Sequence, residues 1–544
     1  MGETYIYMLS GGVNPTSNHY SQYLQAQAVN QYRVSHGLPG MVQFGAGYQP
    51  GASAEMLHDV QQVVVVDGVR QTQYIQGEIP NNRPATATEV QAVFGEITAL
   101  PVGSIDHFVL FVGDHGSPNS TDLSCFDFSA DDDFDLIKRQ NYSDSLINLW
   151  NPTYSFFPER DSLGVQELDA DLQAALPKNV PVAVVMTQCY SGGFHRMAYT
   201  FDSNGLPVKD DTQNVVVFTS IHRKTTAAGC TPYVENDRYD GYERRIVEAL
   251  TGINVITGEK LTDGEPAILA AHMSASLMDR TKDTPLRTSE AFSLDYYEAL
   301  QSGEKIKDAD LEELWKNFKS QDFGKLAHND VLLREANRRL THMRDLEKQI
   351  KKWFPELKNE DLLASLSHVR NAMKIAQTLE SANDKEAESV NKEIKKDFVP
   401  MKVAYVEAVK NGELGPEVYE FERLNLLANG EDYRFFAEDP TLIDLAKYKN
   451  YLAHRDETIL LWASKQEKFS GQVQGVREKL DHKAMLENRS GEFEIQYACL
   501  QRLEQQMIVA TLDMWWITQD DKLSKQAIQD REEFIVAEEA AMFI

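Results

Sequence analysis

Two short segments hold side chains that could together carry out acyl transfer. One is Gly113-Asp114-His115-Gly116-Ser117-Pro118, and the other is Thr187-Gln188-Cys189-Tyr190-Ser191-Gly192-Gly193. A cysteine attacks a carbonyl as its thiolate, so it needs an imidazole nearby to take the proton. The reaction also needs backbone N–H groups aimed at the oxyanion that develops. Glycine next to each reactive residue lets the chain turn sharply and brings those N–H groups close to a substrate. His115 is therefore the candidate base and Cys189 the candidate nucleophile. A second His-Gly pair, His36-Gly37, precedes Leu-Pro-Gly and reads as a helix end.

The elements that must position these residues are legible as apolar runs of strand length at 4–9, 61–66, 105–112, 180–186 and 214–219. They are nearly continuous in β-branched and aromatic residues, as in strands covered on both faces. Helical patterns fall between them at about 20–35, 86–99, 164–176 and 239–250. Strand and helix in alternation predict an α/β fold with a mainly parallel sheet between helical layers. His115 follows the run 105–112 and Cys189 the run 180–186, so both stand at carboxyl ends, where such folds place their sites. The 73 residues between them leave room for a helical crossover, which predicts neighbouring parallel strands.

Asp114-His115-Gly116 and Gln188-Cys189-Tyr190-Ser191-Gly192-Gly193, each after an apolar strand, resemble the histidine and cysteine motifs of caspase-like cysteine peptidases. The legumain and GPI-anchor transamidase branch looks closest. Tyr5-Ile-Tyr-Met-Leu-Ser-Gly-Gly12 with Asn18-His19-Tyr20, then Phe218-Thr-Ser220 with Ala227-Ala-Gly-Cys230, and then Asp240-Gly-Tyr242 are similar to further segments of that branch. The resemblance covers roughly 1–280. It implies a caspase-like α/β/α sandwich, peptide-bond cleavage through a Cys189 thioester, and no required cofactor. By position, Gly116 and Cys189 would supply the oxyanion-hole N–H groups, and Asp240, Ser220 and Tyr190 would bind substrate. Legumains carry arginine and histidine where this chain has Ser21 and Gln22. The expectation is therefore that Asp240 stands unopposed and favours Lys or Arg before the scissile bond. A transamidase or ligase using the same acyl-enzyme, or an inactive caspase-like binding scaffold, are the alternative readings.

Composition narrows the partners. Across 544 residues the net charge is -29, which argues against nucleic acid and anionic membrane surfaces, and the protein or peptide substrate is what the resemblance implies. Residues 1–300 hold 37 acidic and 18 basic side chains, against 46 and 36 in 301–544, so the first part is the more acidic. Four scattered cysteines (Cys125, Cys189, Cys230 and Cys499) fit neither a disulfide scaffold nor a zinc site, and the three others read as ordinary thiols. A strand-like run begins at Thr4 with no basic segment before it, so the expectation is a cytoplasmic protein without a signal peptide. The acidic run 127–135 lacks calcium-loop spacing and reads as a solvated loop, with no metal expected. His222, just past a strand end, either lines the cleft or is structural.

Glycine falls from 23 residues in 1–300 to 8 afterwards, and proline from 15 to 4. The second part has apolar residues three and four apart, as in bundle helices. The expected organisation is a peptidase domain at 1–290, a linker at 291–308 and an all-α domain at 309–544, regulatory or partner-binding. Asn429-Gly430 and Asp439-Pro440 mark breaks in it.

Overall fold

The computed structural model describes residues 3–12, 14, 17–47, 60–66, 69–118, 145–150, 162–223, 225–235, 239–320, 330–428, 445–519 and 521–543. The chain begins with β1 (Glu3–Ser10), α1 (Tyr20–Ser35), β2 (Gly40–Phe44), β3 (Val60–Val66), β4 (Val69–Ile75) and α2 (Ala87–Thr98). It continues through β5 (Ile105–Gly113), β6 (His115–Pro118), β7 (Ser145–Asn148), β8 (Ser162–Gly164), α3 (Val165–Ala175) and β9 (Val182–Met186). A 3-10 helix (Ser191–Met197) leads to β10 (Tyr199–Phe201), β11 (Pro207–Lys209) and β12 (Val215–Thr219). Then come α4 (Tyr242–Thr251), α5 (Ile268–Met278), β13 (Leu286–Arg287) and α6 (Thr288–Ser302). The helical part has α7 (Asp308–Lys319), α8 (Asp330–Trp353), α9 (Leu366–Lys410), α10 (Pro416–Ala428), α11 (Leu445–Ser464), α12 (Ser470–Thr518) and α13 (Lys522–Ala540).

The central sheet has six strands in the order β13-β12-β9-β5-β1-β2, and every neighbouring pair is parallel except β12 with β13. Its strands alternate between two cores. Tyr7, Leu110, Val184 and Val217 face one, and Ile6, Val109, Ala183 and Val216 face the other. Burial of both faces is the physical reason that the runs are continuously apolar. α1, α4 and α5 cover one face. α2, α3, α6 and parts of the C-terminal helices cover the other.

Four of the five expected strands pair in this sheet. The run 61–66 does not. It forms an antiparallel hairpin with β4, with Val65 and Val66 exposed, and β2 fills the sheet edge instead. An isolated apolar run carries no information about its pairing partner, which is why the sequence placed it with the others. The four expected helices are present as α1, α2, α3 and α4.

The stretch expected as a linker is built differently. Residues 288–302 form α6, whose Phe292 and Tyr296 sit in the same core as Leu110, Leu340 and Trp516. The helical part therefore shares a core with the sheet. Arg287, on edge strand β13, reaches Glu290 at 3.1 Å, Glu538 at 2.6 Å and also Glu335, and all four are buried. Arg339 joins Glu290 and Glu335. Glu538 also accepts from the N–H and hydroxyl of Ser289. Beyond this core, α9 and α12 run side by side as an arm, with α11 packed on it around Phe398, Tyr405 and Ile459. Among the described residues, no helix is long and apolar enough to cross a membrane.

Replacing Arg287 with Met should destabilise the fold by about 3–5 kcal/mol, because three buried carboxylates lose their shared cation. Urea unfolding followed by circular dichroism measures this. A change below about 1 kcal/mol, the size of an exposed ion pair, would show that the cluster does not hold the two parts together.

Candidate functional site

The carboxyl ends of β1, β5, β9 and β12 meet at one edge of the sheet, and the two expected reactive residues are there. β5 and β9 are adjacent and parallel, with Val112 opposite Met186. His115 follows β5 after Asp114, and Cys189 follows β9 after Thr187 and Gln188. Thr187 binds Val112 through its N–H at 3.0 Å, which carries the β5–β9 ladder one step towards the site.

Asp114 ties the loop after β1 to the histidine. Its Oδ1 accepts from the N–H of Gly12 at 2.8 Å and of His115 at 2.6 Å. Burial raises its pKa to about 7. His115 Nε2 lies 2.6 Å from the carbonyl oxygen of Ser17. A carbonyl can only accept, so Nε2 carries the proton and Nδ1 is left as the basic nitrogen. Burial lowers the pKa of His115, which keeps the ring neutral at pH 7. His19 stands edge-on to it, 5.3 Å between ring centroids, and burial lowers its pKa to about 3.

Gly116 packs directly against the nucleophile's backbone. A Cβ there would stand 2.0 Å from the Cys189 carbonyl oxygen, so the position admits no side chain. Gly116 itself is part of β6, opposite Ile147 of β7. After Cys189, Tyr190 adopts φ 57°, a left-handed conformation that non-glycine residues rarely hold. It is fixed there by its N–H to Thr225 O at 2.9 Å and by the Ser145 hydroxyl, 2.6 Å from its carbonyl oxygen. The Cys189 thiol itself lies 4.0 Å from Ala227 O, a long contact, and no bond joins it to His115 among the described residues. Burial is the largest of several influences on its pKa. Ala227 O lowers it and Asp283 raises it, and the net effect is a thiol that is protonated at rest.

The expected substrate-binding residues divide. Tyr190 lines a cleft of about 710 Å³, together with His222, Thr226, Lys282 and residues of α6, α9 and α12. His222 is thereby a cleft residue. Ser220 is wholly buried, with its hydroxyl 3.4 Å from Gln188 O and 3.5 Å from that of Ser191, so it supports the cysteine loop and does not face a ligand. Asp240 is not unopposed. It pairs with Arg245 and, at 3.8 Å, with Arg244, because the first turns of α4 bring both guanidinium groups back to it. The expectation that it is the free acid of a specificity pocket fails on this point. Ser21 and Gln22 are buried and engaged, Ser21 with Thr231 and Gln22 with Cys230.

Several residues of the site had no role assigned from the sequence. Cys230, read as an ordinary thiol, contacts Asp114 O at 3.8 Å and lies within electrostatic reach of Cys189. Glu243 and Asp283 are buried here as well. The acidic run 127–135, Cys125 and the breaks at 429–430 and 439–440 lie outside the described residues. Among the described residues there is no cluster of three or more metal-ligating side chains. The edge thus defines an α/β protein with a thiol and an imidazole on neighbouring parallel strands. No family model and no curated protein matches the chain.

Two outcomes follow from this geometry. Gly116→Ala should slow labelling of Cys189 by an electrophilic peptide about a hundredfold, as displacement of a reacting group by an ångström does, with an unchanged circular dichroism spectrum. Unchanged labelling would remove Gly116 from the site. The pKa of Cys189 is raised above its ordinary 9.0, so its alkylation by iodoacetamide should keep accelerating through pH 9. A plateau near pH 7 would show a preformed thiolate–imidazolium pair.

Proposed function

We propose that the chain is a cysteine peptidase of the caspase-like, legumain-type group, acting through a Cys189 thioester. The observation that supports this reading most is the placement of His115 and Cys189 at the carboxyl ends of neighbouring parallel strands, with Gly116 against the Cys189 backbone. In this reading the Nδ1 of His115 takes the thiol proton as Sγ attacks the substrate carbonyl. Ser17 O holds the ring in the tautomer that permits it. In the same reading the Cys189 N–H, for which no backbone hydrogen bond is seen among the described residues, donates to the oxyanion together with that of Gly116. The proton then passes to the leaving amine, and water activated by the same imidazole hydrolyses the thioester. The strained Tyr190 backbone is consistent with a held nucleophile loop, since such strain gathers at active sites.

A peptide acyloxymethyl ketone should label the full chain at Cys189. Cys189→Ala should abolish both labelling and peptide hydrolysis. His115→Ala should lower hydrolysis by about a thousandfold or more, as loss of the base does in comparable triads. Near wild-type turnover in the Cys189 variant would refute the reading.

A further inference from the structure

Four consecutive residues, Ala227 to Cys230, run beside the nucleophile, and each is fixed to something different. Ala227 O lies 4.0 Å from the Cys189 thiol. The N–H of Ala228 donates to Asp283 Oδ1 at 2.7 Å. Gly229 lies against the Glu243 carboxylate, so closely that a Cβ would overlap Oε2. Cys230 contacts Asp114 O, next to His115. This strip therefore sets two carboxylates beside the thiol, and both exert their charge on it.

Those carboxylates are buried and lack a cation. Glu243 is 2% exposed and Asp283 is 0% exposed. Glu243 Oε1 accepts from Gln25 Nε2 and Asp283 Oδ1 from the N–H of Ala228, and the Ser21 side chain also interacts with the Glu243 carboxylate. Glu243 Oε2 and Asp283 Oδ2, however, have no hydrogen-bond partner among the described residues. Neither residue forms an ion pair among the described residues. The basic groups nearby are committed elsewhere. Arg244 and Arg245 pair with Asp240 and Glu248, Arg502 with Asp279, and Lys282 with Glu494. Two buried carboxylates that repel each other are unfavourable unless a proton or a cation relieves them. Burial, reinforced by the charge of Asp283, raises the pKa of Glu243 well above its ordinary value. Burial together with Asp279 raises that of Asp283, against the smaller opposing effects of the Ala228 N–H, Arg502 and Lys282.

We infer that Glu243 and Asp283 form a cation-binding subsite, and that it takes the Lys or Arg side chain preceding the scissile bond of a peptide substrate. The cation site stands on these contacts, whereas the identity of its ligand rests on the peptidase reading. A metal ion is the poorer occupant, because among the described residues no third ligand of the usual kind joins the pair. A guanidinium or ammonium group fits two acceptor oxygens directly. On the peptidase reading, the Ala227–Cys230 strip beside the thiol is where the side chain preceding the scissile bond would lie. Asp283 is buried between Lys282 and Thr284, which are both on the wall of the 710 Å³ cleft beside Tyr190, so the approach to it runs through that wall. A cation seated there would also oppose the charge of the two carboxylates, which adds to burial in holding the thiol protonated, so a basic substrate would promote ionisation of its own nucleophile.

The test uses the full chain and has two arms. In the first, thermal unfolding of the wild type is followed with benzamidine and with neutral benzamide. Benzamidine should raise Tm and benzamide should not. Glu243→Gln and Asp283→Asn should each weaken the benzamidine effect about tenfold or more in concentration, as loss of a buried charge partner does. Equal shifts with both compounds, or none with either, would overturn the cation site whatever the enzyme does. In the second arm, fluorogenic peptides differing in the residue before the scissile bond are compared, together with ketone labelling of Cys189. Arg and Lys should exceed Asn, Asp and Ala in kcat/KM, and the two carboxamide variants should erase that preference. Labelling of Cys189 without a basic preference would sink the substrate assignment and leave the peptidase reading standing. No His115-dependent labelling with any peptide would sink the peptidase reading, and the benzamidine arm would still decide the cation site.

Discussion

Arg287 is a buried side chain on which the two parts of the chain converge. It lies on the short antiparallel strand that closes the sheet, and its carboxylate partners come from α6, α8 and α13. A buried guanidinium is tolerated only where acceptors surround it, so sheet edge, α8 and α13 are held in one arrangement. Arg531 extends the lock from α13 to Asp513 of α12 at 2.5 Å and to Ser289 O at 2.9 Å. Pairing with the guanidinium groups keeps the carboxyls of Glu290 and Glu335 below their ordinary range despite burial.

The lock has a consequence at the site. The cleft beside Tyr190 has one wall from the loops after β9 and β12 and the other from α6, α9 and α12. Its shape therefore depends on where the helices are held. The β3–β4 hairpin makes a second connection. β3 binds Asn18 O through Gln61 N at 2.8 Å, beside Ser17, which orients His115. On the other strand, the side chain of Asn450 on α11 brackets the backbone of Thr72. A strand that looked like part of the sheet is instead a strap between the arm and the histidine's support.

Charge is handled in opposite ways at the two places. Around Arg287 every buried acid has an arginine, and the result is rigidity. Around Cys189, Glu243 and Asp283 have none, although Arg244 and Arg245 lie on the same helix as Glu243 and turn to Asp240 and Glu248. The difference is one of helix geometry, since residues three and four apart share a face and capture one another first.

The sequence by itself determined the main strands, their carboxyl-end loops and the pairing of His115 with Cys189 at one edge. These are local or near-local properties. Continuous apolar runs report burial on both faces, and a reactive residue just past a run must stand at a strand end. Helix periodicity likewise gave α1 to α4. Tertiary structure decided what depends on partners far along the chain. It sent 61–66 into a hairpin, put 291–302 into the shared core and buried Ser220. It paired Asp240 with arginines and brought Asp283 to the thiol across 94 residues of chain. A carboxylate has the same letter whether it is paired, solvated or left bare in a core. Its neighbours in space, which no local pattern encodes, set its charge and its use.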